Sequence, residues 1–91
     1  MKQVKSISKT FAEHSYELKL TFDDDSSTYI LVEPGMIFVS SYTADELTKR
    51  IEADETDFES YDTSDLCDYY NNSEYREYIA YALLDIMNSK L

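Results

Sequence analysis

Carboxylates are the residues of this chain whose type and spacing could support a specific chemistry. Six of them lie close together in the second half of the sequence: Asp57, Glu59, Asp62, Asp65, Asp68 and Glu74. Asp62, Asp65 and Asp68 recur at intervals of three, which on a helix is about 4.5 Å of axial rise. Successive phosphates of a DNA strand are roughly 3.4 Å apart along the axis. A rigid row of such charges can imitate a phosphate backbone. The spacing therefore predicts a surface that binds cationic side chains of another protein.

The negative charge is concentrated rather than spread evenly. Residues 45–77 hold twelve carboxylates against three cations, a net charge of −9, whereas the whole chain has −11. Self-repulsion of this size opposes a compact state, which favours a basic partner. The alternative is a solvated acidic face that only keeps the protein soluble. Direct binding to nucleic acid or to anionic membranes is disfavoured, because both need a basic face.

A second acidic patch is formed by Asp23, Asp24 and Asp25. Three adjacent carboxylates are able to coordinate a hard cation, but the alternating ligands and turn glycine of an EF-hand loop are missing. We therefore expect no metal site here. The segment is interpreted as a polar turn that adds a second patch to the acidic binding surface.

Groups for catalysis are few. The single Cys67 and the single His14 are the only pair suited to nucleophilic chemistry, and nothing in the sequence brings them together. We expect Cys67 to be a small buried hydrophobic residue and His14 to be structural or on the surface. With one glycine, Gly35, there is no phosphate-binding loop. The chain is predicted to have no enzymatic activity and no cofactor.

Length and composition indicate one small domain over residues 1–91. A lone cysteine excludes an internal disulfide and is typical of a reducing cytosol. Neither a membrane-spanning run nor a signal peptide is evident. We expect a cytoplasmic protein of bacterial or phage origin.

Hydrophobic periodicity predicts an α+β fold in the order α-βββ-ααα: a three-stranded antiparallel meander with the helices packed on one face. Val4, Ile7 and Phe11 favour an N-terminal helix within residues 2–13, with a strand or a loose arm as alternatives. Strict alternation predicts a strand at 14–22, and further strands are predicted at 28–33 and 36–42, around a turn at Pro34-Gly35.

The second half is predicted to be helical. Thr43 and Glu46 form a capping box for a helix to about residue 53 that buries Leu47 and Ile51. Residues 54–63 are expected to be an acidic linker, held to the body by two aromatic residues, Phe58 and Tyr61.

Two more helices are expected after the linker. Thr63 or Ser64 is the predicted cap of a short helix that runs through Tyr70 and is broken by Asn71-Asn72. Ser73 is the predicted cap of the last helix, whose apolar stripe comprises Tyr75, Ile79, Ala82, Leu83 and Ile86.

Tyrosines at positions 69, 70, 75, 78 and 81 have two interpretations. Most are expected to pack in the core. Tyr78 and Tyr81 lie off the apolar stripe, and are the expected exposed contact residues.

In layout and charge the chain resembles small acidic DNA-mimic inhibitors from phages and mobile elements, in particular the type II-A anti-CRISPR proteins that block Cas9. The likeness is carried by the strand Ser15–Phe22, the helix after Thr43 and the acidic run Asp54–Asp62. The resemblance implies competitive occupation of the cationic groove in which the effector reads its PAM duplex.

The expected function is therefore a non-enzymatic inhibitor of a CRISPR nuclease–guide RNA complex, acting as a monomer or homodimer. One alternative is an anti-restriction or other DNA-mimic protein with a different DNA-binding target. The other is a non-mimetic accessory protein that docks through its tyrosine-rich last helix.

Overall fold

The computed structural model describes residues 3–11 and 15–89 of the chain. Within these residues five strands and three helices follow in the order β1 (Val4–Phe11), β2 (Tyr16–Phe22), β3 (Ser27–Glu33), β4 (Met36–Ser40), α1 (Ala44–Glu52), β5 (Glu59–Asp62), α2 (Leu66–Asn72) and α3 (Arg76–Ser89). The protein is therefore an α+β protein, as predicted. The three-stranded meander is present as β2, β3 and β4, but it is the centre of a five-stranded sheet.

All neighbouring strands are antiparallel, and their spatial order is the chain order, so β1 and β5 form the two edges. The register places Leu18 opposite Ile30 and Ile30 opposite Val39. Because successive side chains of a strand point to opposite faces, these three residues share one face of the sheet. Leu31 and its partner Phe38 lie on the other face.

The first face carries the larger core and is covered by α2 and α3. Ile79, Ala82 and Ile86 of α3 and Leu66 of α2 are buried against it. Each fully buried Leu or Ile stabilises the fold by roughly 1.5–3 kcal/mol. The Tyr16 hydroxyl donates a 2.8 Å hydrogen bond to the carbonyl of Ala82 and so ties β2 to α3. Burial first, and then the charge of Asp85, raises the pKa of Tyr16 above its ordinary value.

The second face carries a smaller core of Leu31, Phe38 and Leu47, with Leu47 supplied by α1. Phe58 packs edge-on against Phe38, with ring centroids 5.9 Å apart. The prediction that all helices pack on one face is therefore wrong. The physical reason is that β3 is apolar on both sides, and Leu31 would otherwise remain in water.

The N-terminal segment is a strand, so the predicted helix is wrong and its strand alternative is confirmed. The β1–β2 register shifts between Val4 and Ser6. A bulge of this kind adds one residue to the strand, so Val4 and Ile7 both lie on the first face although they are three apart. Phe11 follows on the same face, and the three residues thereby imitate a helical period.

The predicted acidic linker at 54–63 is wrong over its second half, because Glu59–Asp62 pairs with β4 as the edge strand β5. Its two aromatic anchors are confirmed, and they point in opposite directions. Tyr61 packs on the core of the first face and Phe58 on that of the second. The strand is thus fixed through both faces of the sheet.

Thr43 is the N-cap of α1 as predicted, and the reciprocal contact of Glu46 is to the Thr43 hydroxyl. Thr43 Oγ1 accepts the N–H of Glu46 at 3.3 Å and donates to the Glu46 carboxylate at 2.9 Å. Leu47 is buried as predicted, but Ile51 is 42% exposed. One short helix covers only a small area of the second face, and its last turn extends beyond that area.

The start of α2 differs from the prediction. Neither Thr63 nor Ser64 caps it; Asp65 precedes the first helical residue without a capping side-chain hydrogen bond, and the helix continues through Asn71 and Asn72. Ser73 Oγ accepts the N–H of Tyr75 at 3.0 Å just before α3, as its position predicted. The apolar stripe of α3 is confirmed, with Ile79, Ala82 and Ile86 buried.

Among residues 3–11 and 15–89, three turn the chain with positive φ. Gly35, at φ 81°, closes the predicted turn between β3 and β4, and two aspartates adopt the same region, Asp25 at φ 67° and Asp54 at φ 56°. Asp tolerates the left-handed region because its short polar side chain bonds locally. The acidic residues therefore serve local geometry as well as charge.

Candidate partner-binding surface

The candidate surface lies where the edge strand β5 meets α2 and the loop before α3. Five carboxylates of this region are exposed: Glu59, Asp62, Asp65, Asp68 and Glu74. We call this set the acidic edge. Within the described part of the chain, no Lys or Arg nitrogen lies within 4.0 Å of any of them. Their negative charge is therefore not compensated locally.

Two tyrosines fix the position of Glu59. Tyr61 and Tyr69 stack with ring centroids 4.1 Å apart, and both hydroxyls donate to Glu59 Oε2, at 3.3 and 3.4 Å. Burial first, and then the nearby Glu59, raises the pKa of Tyr61. Burial also raises the pKa of Tyr69, an effect that a hydrogen bond with Ser73 opposes and Glu59 reinforces. Both phenols thus remain neutral donors at neutral pH.

Asp62 is fixed by the turn that follows β5. Its Oδ1 accepts hydrogen bonds from the Ser64 hydroxyl at 2.6 Å, the Ser64 N–H at 2.9 Å and the Asp65 N–H at 3.0 Å. The Ser64 hydroxyl first, and then the backbone N–H of Asp65, hold the pKa of Asp62 below its ordinary value. The carboxylate consequently retains its charge in mildly acidic solution.

The predicted row of carboxylates along one helix is wrong in its geometry. Asp62 is the last residue of β5, Asp65 precedes α2, and only Asp68 lies within the helix. The helical spacing argument therefore does not extend to Asp62. The charges follow a strand-to-helix corner instead of a straight line.

Glu59 and Glu74 also share a groove of about 500 Å³ with Asp57 and Tyr75. Burial raises the pKa of Tyr75; a hydrogen bond with Thr28 lowers it and one with Glu74 raises it. Three of the sequence-predicted carboxylates are thus brought to one concave surface. A cationic side chain entering the groove would meet carboxylates from β5, the preceding loop and the loop before α3.

Asp57 differs from the acidic edge because a cation already accompanies it. Arg50 Nη1 lies 3.3 Å from Asp57 Oδ2 and 2.5 Å from Glu55 Oε2. The Arg50 guanidinium lies 4.0 Å from the centroid of the Tyr42 ring, and the Tyr42 hydroxyl donates to Asp57. This bond, followed by partial burial, raises the pKa of Tyr42. Asp57 therefore contributes less net charge than its neighbours.

The predicted second patch, Asp23–Asp25, is exposed in the turn between β2 and β3. The turn lies two to three strand spacings, roughly 10–14 Å, from β5. Glu74 of the acidic edge lies nearer, because it shares grooves with Phe22 and Thr28 at the strand ends beside the turn. Lys5 pairs with Asp25 at 3.0 Å, and Asp24 accepts the N–H of Ser26 at 3.0 Å. These contacts support a turn with part of its charge compensated.

Four other residues singled out in the sequence have different outcomes. Cys67 is exposed, so the prediction of a buried residue is wrong. Tyr81 is 54% exposed as predicted, whereas Tyr78 packs half-buried against the core of the first face. His14 lies outside the described residues.

Sequence reasoning missed three features: the tyrosine pair on Glu59, the pairing of Arg50, and the exposed side chains of Ile7 and Phe11. Glu59 and Tyr61 are two residues apart, a spacing that places both on one face of a strand. That signal was present, but it has meaning only after 59–62 is assigned to a strand.

Among the described residues, no three His, Cys, Asp or Glu side chains are grouped so as to hold a metal ion. Within the same ranges, every helix is too short or too polar to cross a membrane. Comparisons with protein-family models, curated proteins and solved structures find no match to this chain. The surface is therefore interpreted from its own chemistry.

Proposed function

We propose that this protein is a non-enzymatic inhibitor that binds, through the acidic edge, to the cationic DNA-binding groove of another protein and excludes DNA from it. The observation that carries the proposal is the set of five exposed carboxylates without a neighbouring cation among the described residues. Two of them, Glu59 and Asp62, are held by neutral donors, so their charge is fixed in place without being cancelled.

The proposed mechanism is competition. Arg side chains that normally contact DNA phosphates and bases would form charge-assisted hydrogen bonds with the carboxylates instead. Holding the acids on a paired strand and its adjoining helix reduces the ordering cost of binding. The target we propose is a CRISPR nuclease–guide RNA complex such as Cas9, acting in the cytoplasm of a bacterial host; this rests on the resemblance in layout and charge. A nuclease from a restriction system fits the same surface chemistry.

The test is displacement of labelled duplex DNA from the purified Cas9–guide complex by this protein, measured by fluorescence anisotropy over a salt series. We expect inhibition that weakens steeply with ionic strength. The charge-reversed variant Asp62→Lys/Asp65→Lys/Asp68→Lys should lose it. Since Asp62 also stabilises its turn, a second variant, Asp65→Lys/Asp68→Lys/Glu74→Lys, leaves that turn intact.

A matched control reverses three exposed acids on α1 and just after it: Asp45→Lys/Glu52→Lys/Glu55→Lys. It changes the net charge by the same amount, so retained inhibition would show that position matters. Full inhibition by both acidic-edge variants, or equal loss in the control, would contradict the proposed surface. If the wild type displaces no DNA from Cas9, a lysate pull-down with elution by duplex DNA extends the test to other nucleases.

A second candidate function is docking of a partner on α3, favoured by the exposure of Leu84 (53%) and Met87 (63%) on that helix. Apolar docking would be nearly insensitive to salt, whereas binding through the acidic edge would not be. The same salt series therefore separates the two functions.

A further inference from the structure

The edge strand β1 has a free edge along its length. It is eight residues long and pairs with β2 alone among the described strands. An edge of this kind presents a row of unpaired N–H and C=O groups that can pair with another chain. Its bulge lies at the beginning, between Val4 and Ser6, so residues 6–11 run in regular register.

The charged residues that would usually protect this edge have partners within the chain, although the Lys5 side chain remains 58% exposed. Lys5 pairs with Asp25 at 3.0 Å, and Lys9 pairs with Asp85 of α3. The Lys9 ammonium also lies 5.1 Å from the centroid of the Phe11 ring. Lysines deter strand pairing when their charges project from the edge. Here both charges have internal partners, so this protection is weakened.

The side chains beside the edge are apolar and exposed. Ile7 is 46% exposed and Phe11 is 72% exposed, and both lie on the first face of the sheet. Tyr81, which is 54% exposed, precedes Asp85 by one helical turn, so it lies on the side of α3 that Lys9 contacts. Exposed apolar side chains grouped in this way are typical of an interaction surface. We call Ile7, Phe11 and Tyr81 the apolar edge.

The charge of the chain indicates what covers the apolar edge. Residues 3–11 contain two lysines and no carboxylate in a chain of net charge −11. Two copies repel each other through most of their surface, and least at β1, where Asp25 and Asp85 balance the charges of Lys5 and Lys9. A two-fold axis beside β1 would place the same strand of both copies side by side, as a symmetric dimer interface requires. We propose that β1 pairs antiparallel with β1 of a second copy of this chain.

The dimer would form one ten-stranded sheet and bury the apolar edge of both copies. Because β5 is the far edge of each sheet, the two acidic edges would lie at opposite ends, nine strand spacings or roughly 40 Å apart. Both would remain accessible. This interface is independent of the proposed inhibitory function, since it uses the other edge of the sheet.

Sedimentation velocity of the full chain over a concentration series tests the dimer. We expect a species of twice the 10.6 kDa chain mass at high concentration. The variant Ile7→Thr/Phe11→Thr places residues of high β propensity at both positions, so it should fold while raising the dimer dissociation constant on the order of tenfold or more. The matched control is Ile51→Thr, which alters an exposed isoleucine on α1 and should leave the dimer intact.

Hydrogen exchange at low and high protein concentration locates the interface. Amides of 6–11 should become more protected as concentration rises, while those of 59–62 should not. A chain that stays monomeric up to millimolar concentration would overturn the proposal. So would a dimer that is unaffected by Ile7→Thr/Phe11→Thr, or one whose added protection lies outside β1. A different protein found on β1 of a monomeric chain would likewise overturn it.

Discussion

The two edges of one sheet have opposite chemistry. β1 is eight residues long, has no carboxylate and leaves Ile7 and Phe11 in water. β5 is four residues long and begins and ends with an acid, Glu59 and Asp62. Charged side chains on an edge deter unwanted pairing, so β5 is protected against another strand by the same groups that would attract a cationic partner. The backbone makes two equivalent edges, and the side chains decide what each can bind.

The edges also differ in how they are held. β5 is short, so it depends on side chains that enter both cores, namely Tyr61 on the first face and Phe58 on the second. Leu66 follows closely and is fully buried. β1 depends mainly on its long pairing with β2, and its side chains contribute little burial. Substitutions near the two edges should therefore have unequal effects.

The largest expected effect is that of Leu66→Ala. Removing a fully buried leucine should lower the free energy of unfolding by about 2–5 kcal/mol, because it leaves a cavity beneath the acidic edge. Ile7→Ala on β1 should cost at most about 1 kcal/mol, since that side chain is largely in water. Urea unfolding at low protein concentration measures both. Equal losses would show that the edges are held alike.

Tyr69→Phe should have a smaller effect. It removes one hydroxyl that donates to Glu59, and a hydrogen bond of this kind contributes about 0.5–1.5 kcal/mol. At 3.4 Å the bond is long, so we expect the lower end of this range. Tyr81→Phe is the control, because no described residue hydrogen-bonds to its hydroxyl. Thermal unfolding compares the two variants; a larger loss in the control would contradict the assigned role of Tyr69.

Alkaline pH should destabilise the structure around the acidic edge at a lower pH than it destabilises β1. Burial, the first cause in each case, raises the pKa values of Tyr61, Tyr69 and Tyr75 above the ordinary 10.0. A raised pKa in the folded state adds stability that is fully present below pH 10 and is lost as the pH climbs through the folded-state values. Tyrosine absorbance follows the ionisation of the phenols as the pH is raised. Circular dichroism, recorded on the same samples, follows the loss of structure. Ionisation of all phenols near pH 10 without loss of structure would contradict this prediction.

The smallest effect on stability is expected for Arg50→Ala. Its ion pairs with Glu55 and Asp57 are exposed and screened by water, so they should contribute little to stability. The same substitution should raise the affinity for a basic partner, because Glu55 and Asp57 lose their cation and attract that partner more strongly. Arg76→Ala is the control, because it changes the net charge equally and no described carboxylate pairs with Arg76. Titration at low salt compares the two; equal affinities would show that only net charge matters.

The central strands and the last helix could be predicted from the sequence because each buries one consistent face. Tyr16, Leu18, Leu20 and Phe22 alternate strictly and are all buried. The N-terminal strand could not be predicted from the sequence, because its bulge leaves Val4 and Ile7 on one face at a separation of three residues, which is a helical spacing. A polar lysine between Ile7 and Phe11 removed the remaining alternation.

The acidic edge was only partly predictable. Its residues could be named because charge is visible in sequence, and they are exposed as a charged face should be. Their arrangement could not, because β5 is an edge strand of four residues with a single partner, β4, and so has little periodic signal. Cys67 was mispredicted for a related reason. α2 has seven residues with Leu66 as its only buried side chain, and the next position turns about 100° away into solvent.

Asp25 and Asp54 give the acidic character of the chain a second meaning. Both occupy the left-handed region, at φ 67° and 56°, in a protein with one glycine. An alanine there would cost roughly 1–2 kcal/mol in backbone conformation, whereas asparagine is tolerated. A conventional alanine scan would therefore confuse lost charge with a broken turn at these two sites. Isosteric neutralisation to asparagine separates the two causes, and for these two positions it is the more informative form of mutational scanning.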